Sequence, residues 1–463
     1  MSKAIASLLL SLATIIFSSI STTAQYKIPF DHKPLTTDSD MSEMMVEGIH
    51  RFLVERTDQI QSVRKTHLSF DFESSNSFDQ SVKGLRTHLK NRCGAVDFRM
   101  VPELMVIADS NQQPLVLATK AVKTTAVSWE VLDGFYASGI LIRPNSKIRA
   151  RLVLLPDADT TPEEASGMLY ETIGYQQAIS ALLKAGVEIL MIQLVDRSDN
   201  FSGNRQLRKF TNQPHREWIY RQAYEVGRHI IGYELQTIFS AIDLFKKNVS
   251  NERSLPIAVA GHGEGGLLAL YAAALDTRID AALVSGYFGP RNRLWTEPIY
   301  RNVYGLLENF GDAELAAMCW PRKLVIEPGK VDQVLGPPEK TSERSGAAPG
   351  IIQTPEYLNV ESEVMRAKGF LPDDNDHIHW ISNPERTEVA PFSETAIGSL
   401  LHGLDIQTPE ATSELEIPKL TYDHPWVDPL DRQQKIVRGM QSHVQDILQR
   451  CEIARDSTFW KPL

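Results

Sequence analysis

The chain has 463 residues, 42% of them hydrophobic and 23% charged, with a formal net charge of −10 and a pI near 5.7. That composition is globular and long enough to bury a sizeable core. It excludes the phosphate-tracking surface of a nucleic-acid-binding protein, which draws on clustered Lys and Arg; the short basic run from Arg205 to Lys209 reads as solvated loop.

At the N-terminus, Lys3 precedes a mostly apolar run from Ile5 to Phe17, then small polar residues up to Thr22-Thr23-Ala24. A positive start, a short apolar stretch and a small-residue exit predict a secretory signal over 1–24, cleaved near Ala24. The run is short for a membrane span, and no other segment approaches about 18 continuous apolar residues. The expectation is an exported protein with no membrane span after cleavage; an uncleaved N-terminal anchor is the alternative reading.

Helical spacing of Met45, Ile49, Phe52 and Leu53 predicts a helix reaching about Val63, and Ser74 to Asn91 a second. Strand-like runs follow at Leu104–Ile107, Leu115–Leu117, Val127–Val131 and Tyr136–Pro144. Then strands and helices alternate. Strands are predicted at Leu152–Leu155, Val187–Leu194, Pro256–Ala260, Ala281–Ser285, Arg322–Glu327 and Ile378–Ser382. Helices are predicted at Met168–Ala185, His215–Lys247 with breaks at Gly227 and Gly232, Leu267–Leu275, Ala313–Met318, Pro355–Ala367 and Phe392–Leu404. Several of these strands are apolar throughout, as strands covered on both faces are. The alternation predicts an α/β fold with a doubly wound, mostly parallel sheet.

Gly336 to Gly350 is rich in Pro, Gly and Ser and reads as a mobile loop, and Gln407 to Asp431 as a polar linker. Ile436, Met440, Val444, Ile447, Leu448 and Cys451 set out an amphipathic C-terminal helix. The expected organisation is a leader (1–24), an N-terminal helical and β extension (25–128), an α/β domain (129–404), and a linker with a C-terminal helix (405–463). Cys93, Cys319 and Cys451 form no metal-ligand spacing or disulfide framework, and no metal or other cofactor is expected.

The chemistry is concentrated in Ile257 to Leu270: a buried strand, the turn Gly261-His262-Gly263-Glu264-Gly265, then an apolar helix. This is the context of the nucleophile elbow of α/β-hydrolases, G-x-S-x-G, whose helix N-terminus offers backbone N–H groups to an oxyanion. The middle position here is Gly263, which has no side chain with which to attack. Glu264, one residue on, is a carboxylate out of register for that attack. Glu327 and Asp332 stand where a triad acid is expected, after the penultimate strand; Asp332 reads equally as a solvated carboxylate. No histidine lies between Ile381 and Leu401, where the base is expected. His377 and His379 sit at the start of the last strand instead.

Ligands in such sheets gather beyond the C-terminal strand ends. Asp157 and Asp159 after the first buried strand, Ser285 and Tyr287 after a later one, and His215 and Trp218 at the start of the long helix are therefore candidate pocket residues, with His262 and Glu264. For each, capping or packing is the alternative reading.

The stretches Phe210 to Ala223, Gly261 to Gly266, Ala273 to Phe288, Glu297 to Val303 and Phe310 to Glu314 resemble secreted bacterial proteins of the dienelactone-hydrolase and acetyl-xylan-esterase-like branch of the α/β-hydrolases. The resemblance spans most of residues 45 to 460. It implies the α/β-hydrolase fold and a tandem arrangement, in which a glycine-substituted half like this chain precedes a half with an intact serine elbow. The expectation is a hydrolase-family protein with a degenerate triad that binds a carbohydrate or ester ligand or supports a separate catalytic hydrolase partner. One rival is an active carboxylic-ester hydrolase using Ser285 or Glu264 as nucleophile. Another is a purely structural module.

Overall fold

A computed structural model of the chain describes residues 36, 38–108, 111, 113–169, 174–247, 255–372, 376–409, 415–420 and 428–461. The leader expected over 1–24 lies outside them. Among the described residues no helix is long and apolar enough to cross a membrane. Packing divides the chain into two compact units, Met1–Leu53 and Val54–Leu463. In the first, the described residues form the opening turns of helix α1 (Met41–His67), where Met45, Ile49, Phe52 and Leu53 are exposed.

The second unit carries the rest of α1 and then α2 (Ser75–Arg92), capped by the Ser74 hydroxyl accepting from the Ser77 amide. Strands β1 (Met105–Val106), β2 (Val116–Ala118), β3 (Val122–Leu132) and β4 (Phe135–Pro144) come next. β3 pairs antiparallel with the other three, and it runs across residue 128, the expected edge of the N-terminal extension. After β5 (Ala150–Leu155) come α3 (Pro162–Ala165), α4 (Tyr175–Lys184) and β6 (Val187–Ile192). The ribbon β7 (Gly203–Asn204) and β8 (Lys209–Phe210) precedes α5 (His215–Tyr224) and α6 (Ile230–Lys247). Then follow β9 (Ile257–His262), α7 (Glu264–Leu275), β10 (Ala281–Ser285), α8 (Asp312–Ala317) and β11 (Lys323–Glu327). The last elements are α9 (Tyr357–Lys368), β12 (Ile378–Trp380), α10 (Glu394–His402) and α11 (Pro429–Arg455).

The main sheet runs β1-β3-β4-β6-β5-β9-β10-β11-β12, with β2 on β3. The six strands from β6 to β12 are parallel, and β4 joins β6 antiparallel. Side-chain alternation splits the strands between two cores. Val153, Leu155, Leu190, Ile192, Val259 and Val284 pack with α6, α7 and α11. Leu152, Leu154, Ile189, Met191, Ala258 and Leu283 pack with α4 and α10. Two covered faces are why these strands read as unbroken apolar runs. The sheet, mixed but mostly parallel and flanked by helices, has the α/β-hydrolase architecture.

The break expected at Gly227 is present, since that residue takes a left-handed φ of 64° between α5 and α6, but the one expected at Gly232 is not, because Gly232 lies inside α6. The helix expected from Met168 begins only at Tyr175, after Gly174 with φ 91°. The segment 336–350, expected as a mobile loop, is pinned across the start of α5. Asn212 donates to the Pro338 carbonyl at 2.8 Å and accepts from the Ala347 amide at 3.0 Å. Glu217 accepts from the Ala348 amide at 2.9 Å, and Arg344 donates to the Thr211 carbonyl at 3.1 Å.

Candidate functional site

Strand order reverses between β5 and β9, since the chain leaves β5 for β6 on one side and returns to β9 on the other. That reversal opens a crevice at the strand C-termini. Asp157 follows β5 and the turn at Gly263 follows β9, so both reach the crevice. Gly263 has φ 57° and ψ −117° at the N-cap of α7, a left-handed conformation that a side chain strains. Gly265 lets α7 approach β5 closely: a Cβ there would lie 2.7 Å from the Leu155 carbonyl carbon. The predicted strand–turn–helix is therefore present in register.

The volume that a side chain at 263 would need belongs to Asp157, whose Cγ would stand 2.7 Å from the added Cβ. Asp157 Oδ1 accepts from the Glu264 backbone N–H at 2.8 Å, the amide that would face an oxyanion in such a turn. Arg197, just past β6, donates Nη1 to Asp157 Oδ2 at 2.9 Å and Nη2 to Oδ1 at 3.0 Å. The same guanidinium reaches Asp159 Oδ2 at 2.8 Å. Burial would raise the Asp157 carboxyl, but Arg197 outweighs it and holds the group well below the usual carboxylate range.

Glu264 is fully buried. Its Oε1 accepts from Arg301 Nε at 2.8 Å and Arg197 Nη2 at 3.4 Å, and Arg216 Nη2 stands 3.6 Å from Oε2. Burial again works to raise this carboxyl, and Arg301, Arg216 and Arg197 together lower it. Arg216 also forks onto Glu234 at 2.9 and 2.8 Å. Tyr287 lies under Arg291 and Arg301, whose guanidinium carbons stand 4.6 and 5.7 Å from its ring centre. Arg197, Arg216, Arg301 and Glu234 were not among the residues singled out from sequence.

On the other side of the turn, His262 Nδ1 and Ser285 Oγ are 3.0 Å apart. Burial pushes the imidazole down to about 4, against weaker upward pulls from Asp157, Asp332 and the Lys330 backbone. Ser285 is fully buried and its hydroxyl acts to lower the Glu327 carboxyl. Glu327 accepts from the Phe392 amide at 2.5 Å, the Ser393 amide at 3.1 Å and the Ser393 hydroxyl at 2.8 Å. Burial raises its carboxyl despite these bonds. The loop after β12, where a base was expected, instead delivers Phe392, 6.2 Å from the His262 ring and 5.1 Å from Tyr175.

The structure thus gathers Asp157, Asp159, His262, Glu264, Ser285 and Glu327 around the turn, with Tyr287 behind the arginines. It does not bring His215 or Trp218 there. His215 Nε2 accepts from the Phe201 amide at 2.8 Å, so Nδ1 carries the proton toward Asp196 Oδ1 at 2.5 Å; the ring stacks on Phe201. Trp218 packs against the core. Asp332 is exposed, and His377 and His379 feel Lys323 and Asp376. Beside Asp159, a cavity of about 280 Å³ is lined by Thr161, Glu164, Gln193, Asp196, Asp428 and Gln433 among others. No group of three or more potential ligands able to hold a metal ion occurs among the described residues.

No family model matches the sequence, and no curated protein matches it. Among solved structures, an esterase from Bacteroides fragilis assigned to acetyl xylan is similar at 12% identity and TM-score 0.47, covering 74% of this chain and 86% of its own. A glucuronoyl esterase from Solibacter usitatus is similar at 14% identity and TM-score 0.45, covering 73% and 96%. Acetyl xylan esterase 1 from Thermoanaerobacterium sp. JW/SL YS485 is similar at 12% identity and TM-score 0.41, covering 70% and 92%.

Proposed function

We propose that this is a secreted, non-hydrolytic protein of the α/β-hydrolase fold whose elbow has become a charge-paired scaffold beside a ligand cleft. The observation that carries this reading is the exchange at the turn. Gly263 offers no nucleophile, and Asp157 fills the space and takes the oxyanion-facing N–H. Glu264 does not replace the serine, because a carboxylate shared among three guanidiniums is a poor electron donor. The cavity beside Asp159 offers carboxylates and amides, which suit hydroxyl groups. A carbohydrate or ester ligand rests on the sequence resemblance, as does a separate catalytic hydrolase partner. The test is hydrolysis of short acyl esters by purified protein against a Gly261→Pro control. Equal, background rates are expected; wild-type turnover abolished by substituting Glu264 or Ser285 would overturn the reading.

One observation favours a second reading, in which Ser285 is a nucleophile. Its Oγ lies 3.0 Å from an imidazole held neutral by burial, which is the pairing a general base needs. Its complete burial opposes attack. A fluorophosphonate probe decides the matter: labelling of wild type that Ser285→Ala abolishes would establish this second reading, and no labelling is expected.

A further inference from the structure

Asp157 occupies the elbow as a ligand would. It is chemically a small carboxylic acid on a tether, its two oxygens taken by the Arg197 fork and one also by the Glu264 amide. That is the bidentate geometry by which arginine recognises a free carboxylate. The receiving groups are held in place without Asp157. The Arg197 backbone N–H donates to Asp159 Oδ1 at 2.7 Å, its Nη1 to Asp159 Oδ2 at 2.8 Å, and its Nε to the Tyr300 hydroxyl at 3.2 Å. The Glu264 amide is fixed by the turn, and its carboxylate by Arg301. The Asp157 side chain keeps 14% of its surface exposed, so the pocket has an opening to solvent.

We propose that the elbow is a preassembled carboxylate-binding site, closed in cis by Asp157, and that a free small carboxylate enters it when that side chain is shortened. The proposal deepens the non-hydrolytic reading, on which it rests, by naming the chemistry of the group that displaced the serine. Tethering gives Asp157 a high effective concentration, so the wild-type protein does not exchange it for a free acid. The absent side chain at 263 is part of the same construction, because its volume holds the carboxylate.

The experiment is a formate titration of Asp157→Ala, read by thermal melting at neutral pH, with sodium chloride at equal ionic strength as control. The variant is expected to melt below wild type and to be raised saturably by formate but not by chloride. Wild type is expected to be unmoved, and Asp157→Ala combined with Arg197→Ala to lose the response. A variant that ignores formate, or a wild type or double variant that responds as the single variant does, would overturn the proposal. Should Asp157→Ala not fold, Asp157→Ser carries the same titration, its hydroxyl being too short to fill the fork. Ester turnover by wild type would defeat the functional reading but leave the formate result intact, so the two failures are separable.

Discussion

The turn at Gly263 has two flanks that solve the same difficulty, polar groups removed from water, in opposite ways. On the β5 flank the groups are charged: Asp157 and Glu264 meet Arg197, Arg216 and Arg301. On the β10 flank they are met by neutral hydrogen-bonding groups: His262 by Ser285, and Glu327 by the Phe392 and Ser393 amides and the Ser393 hydroxyl. Burial presses on both. It raises the Glu327 carboxyl, whose partners are amides and hydroxyls, yet Glu264, equally buried, is held low by guanidiniums. Depth alone does not decide ionisation: three guanidiniums outweigh burial at Glu264, whereas the single Arg216 fork does not at Glu234.

The comparison breaks first at Arg216, which is fully buried and joins Glu234 to Glu264. Arg216→Ala strands the buried Glu234 and removes one of the three guanidiniums from Glu264, and a loss of about 3–5 kcal/mol is expected in chemical denaturation. A loss under about 1 kcal/mol would show that the charged flank is not a paired network. The neutral flank is tested by acid. His262 is pushed down to about 4 in the folded protein, and His229, also by burial, to about 4, whereas an unfolded histidine titrates near 6.5. The unfolded state therefore takes up these protons first. The contribution of these two histidines is intact above about 6.5 and is lost between about 6.5 and 4, each on the order of 3 kcal/mol, while Asp312, raised by burial to about 7, works the other way in that window. His262→Gln should flatten that part of the profile, and an unchanged slope would refute a neutral imidazole.

A finer comparison sets Gly263 against Gly134. Both have positive φ, but nothing lies within 4 Å of a Cβ at Gly134. Gly134→Ala should cost about 1–2 kcal/mol for the left-handed backbone alone. Gly263→Ala should cost about 1–3 kcal/mol more for overlap with Asp157, and Asp157→Ala in the same chain should remove that excess. The smallest effect expected is that of Ser285→Ala. It removes the bond to His262, leaves the three donors to Glu327 in place and costs about 1 kcal/mol by thermal melting.

The elbow was legible because its signal is local. Glycines at 261, 263 and 265 between an apolar strand and an apolar helix specify a backbone shape, and that shape is what forms. The paired, buried strands were legible for the same reason, as unbroken apolar runs. Arg197, Arg216 and Arg301 were not, because a buried arginine looks like any surface arginine until its carboxylate arrives from elsewhere in the chain. Glu264 meets partners from the end of β6, from α5 and from the short turn Ile299–Arg301, and no spacing rule connects these. His215 and Trp218 misled for a related reason. They stand beside hydrogen-bonding neighbours in sequence, but α5 turns one to Asp196 and the other to the core.

The C-terminal helix has a consequence for how this protein is made. Ile436, Val437, Met440 and Val444 of α11 share a core with Phe135, Ala137 and Leu141 of β4, and Arg432 pairs with Glu163 beneath them. A ribosome finishes β4 long before it reaches residue 444. At roughly 5–20 residues per second, one face of the nascent sheet waits on the order of tens of seconds for its cover. During that interval the half-built sheet presents an apolar surface of the kind that chaperones hold, and translation speed beyond β4 becomes a determinant of yield.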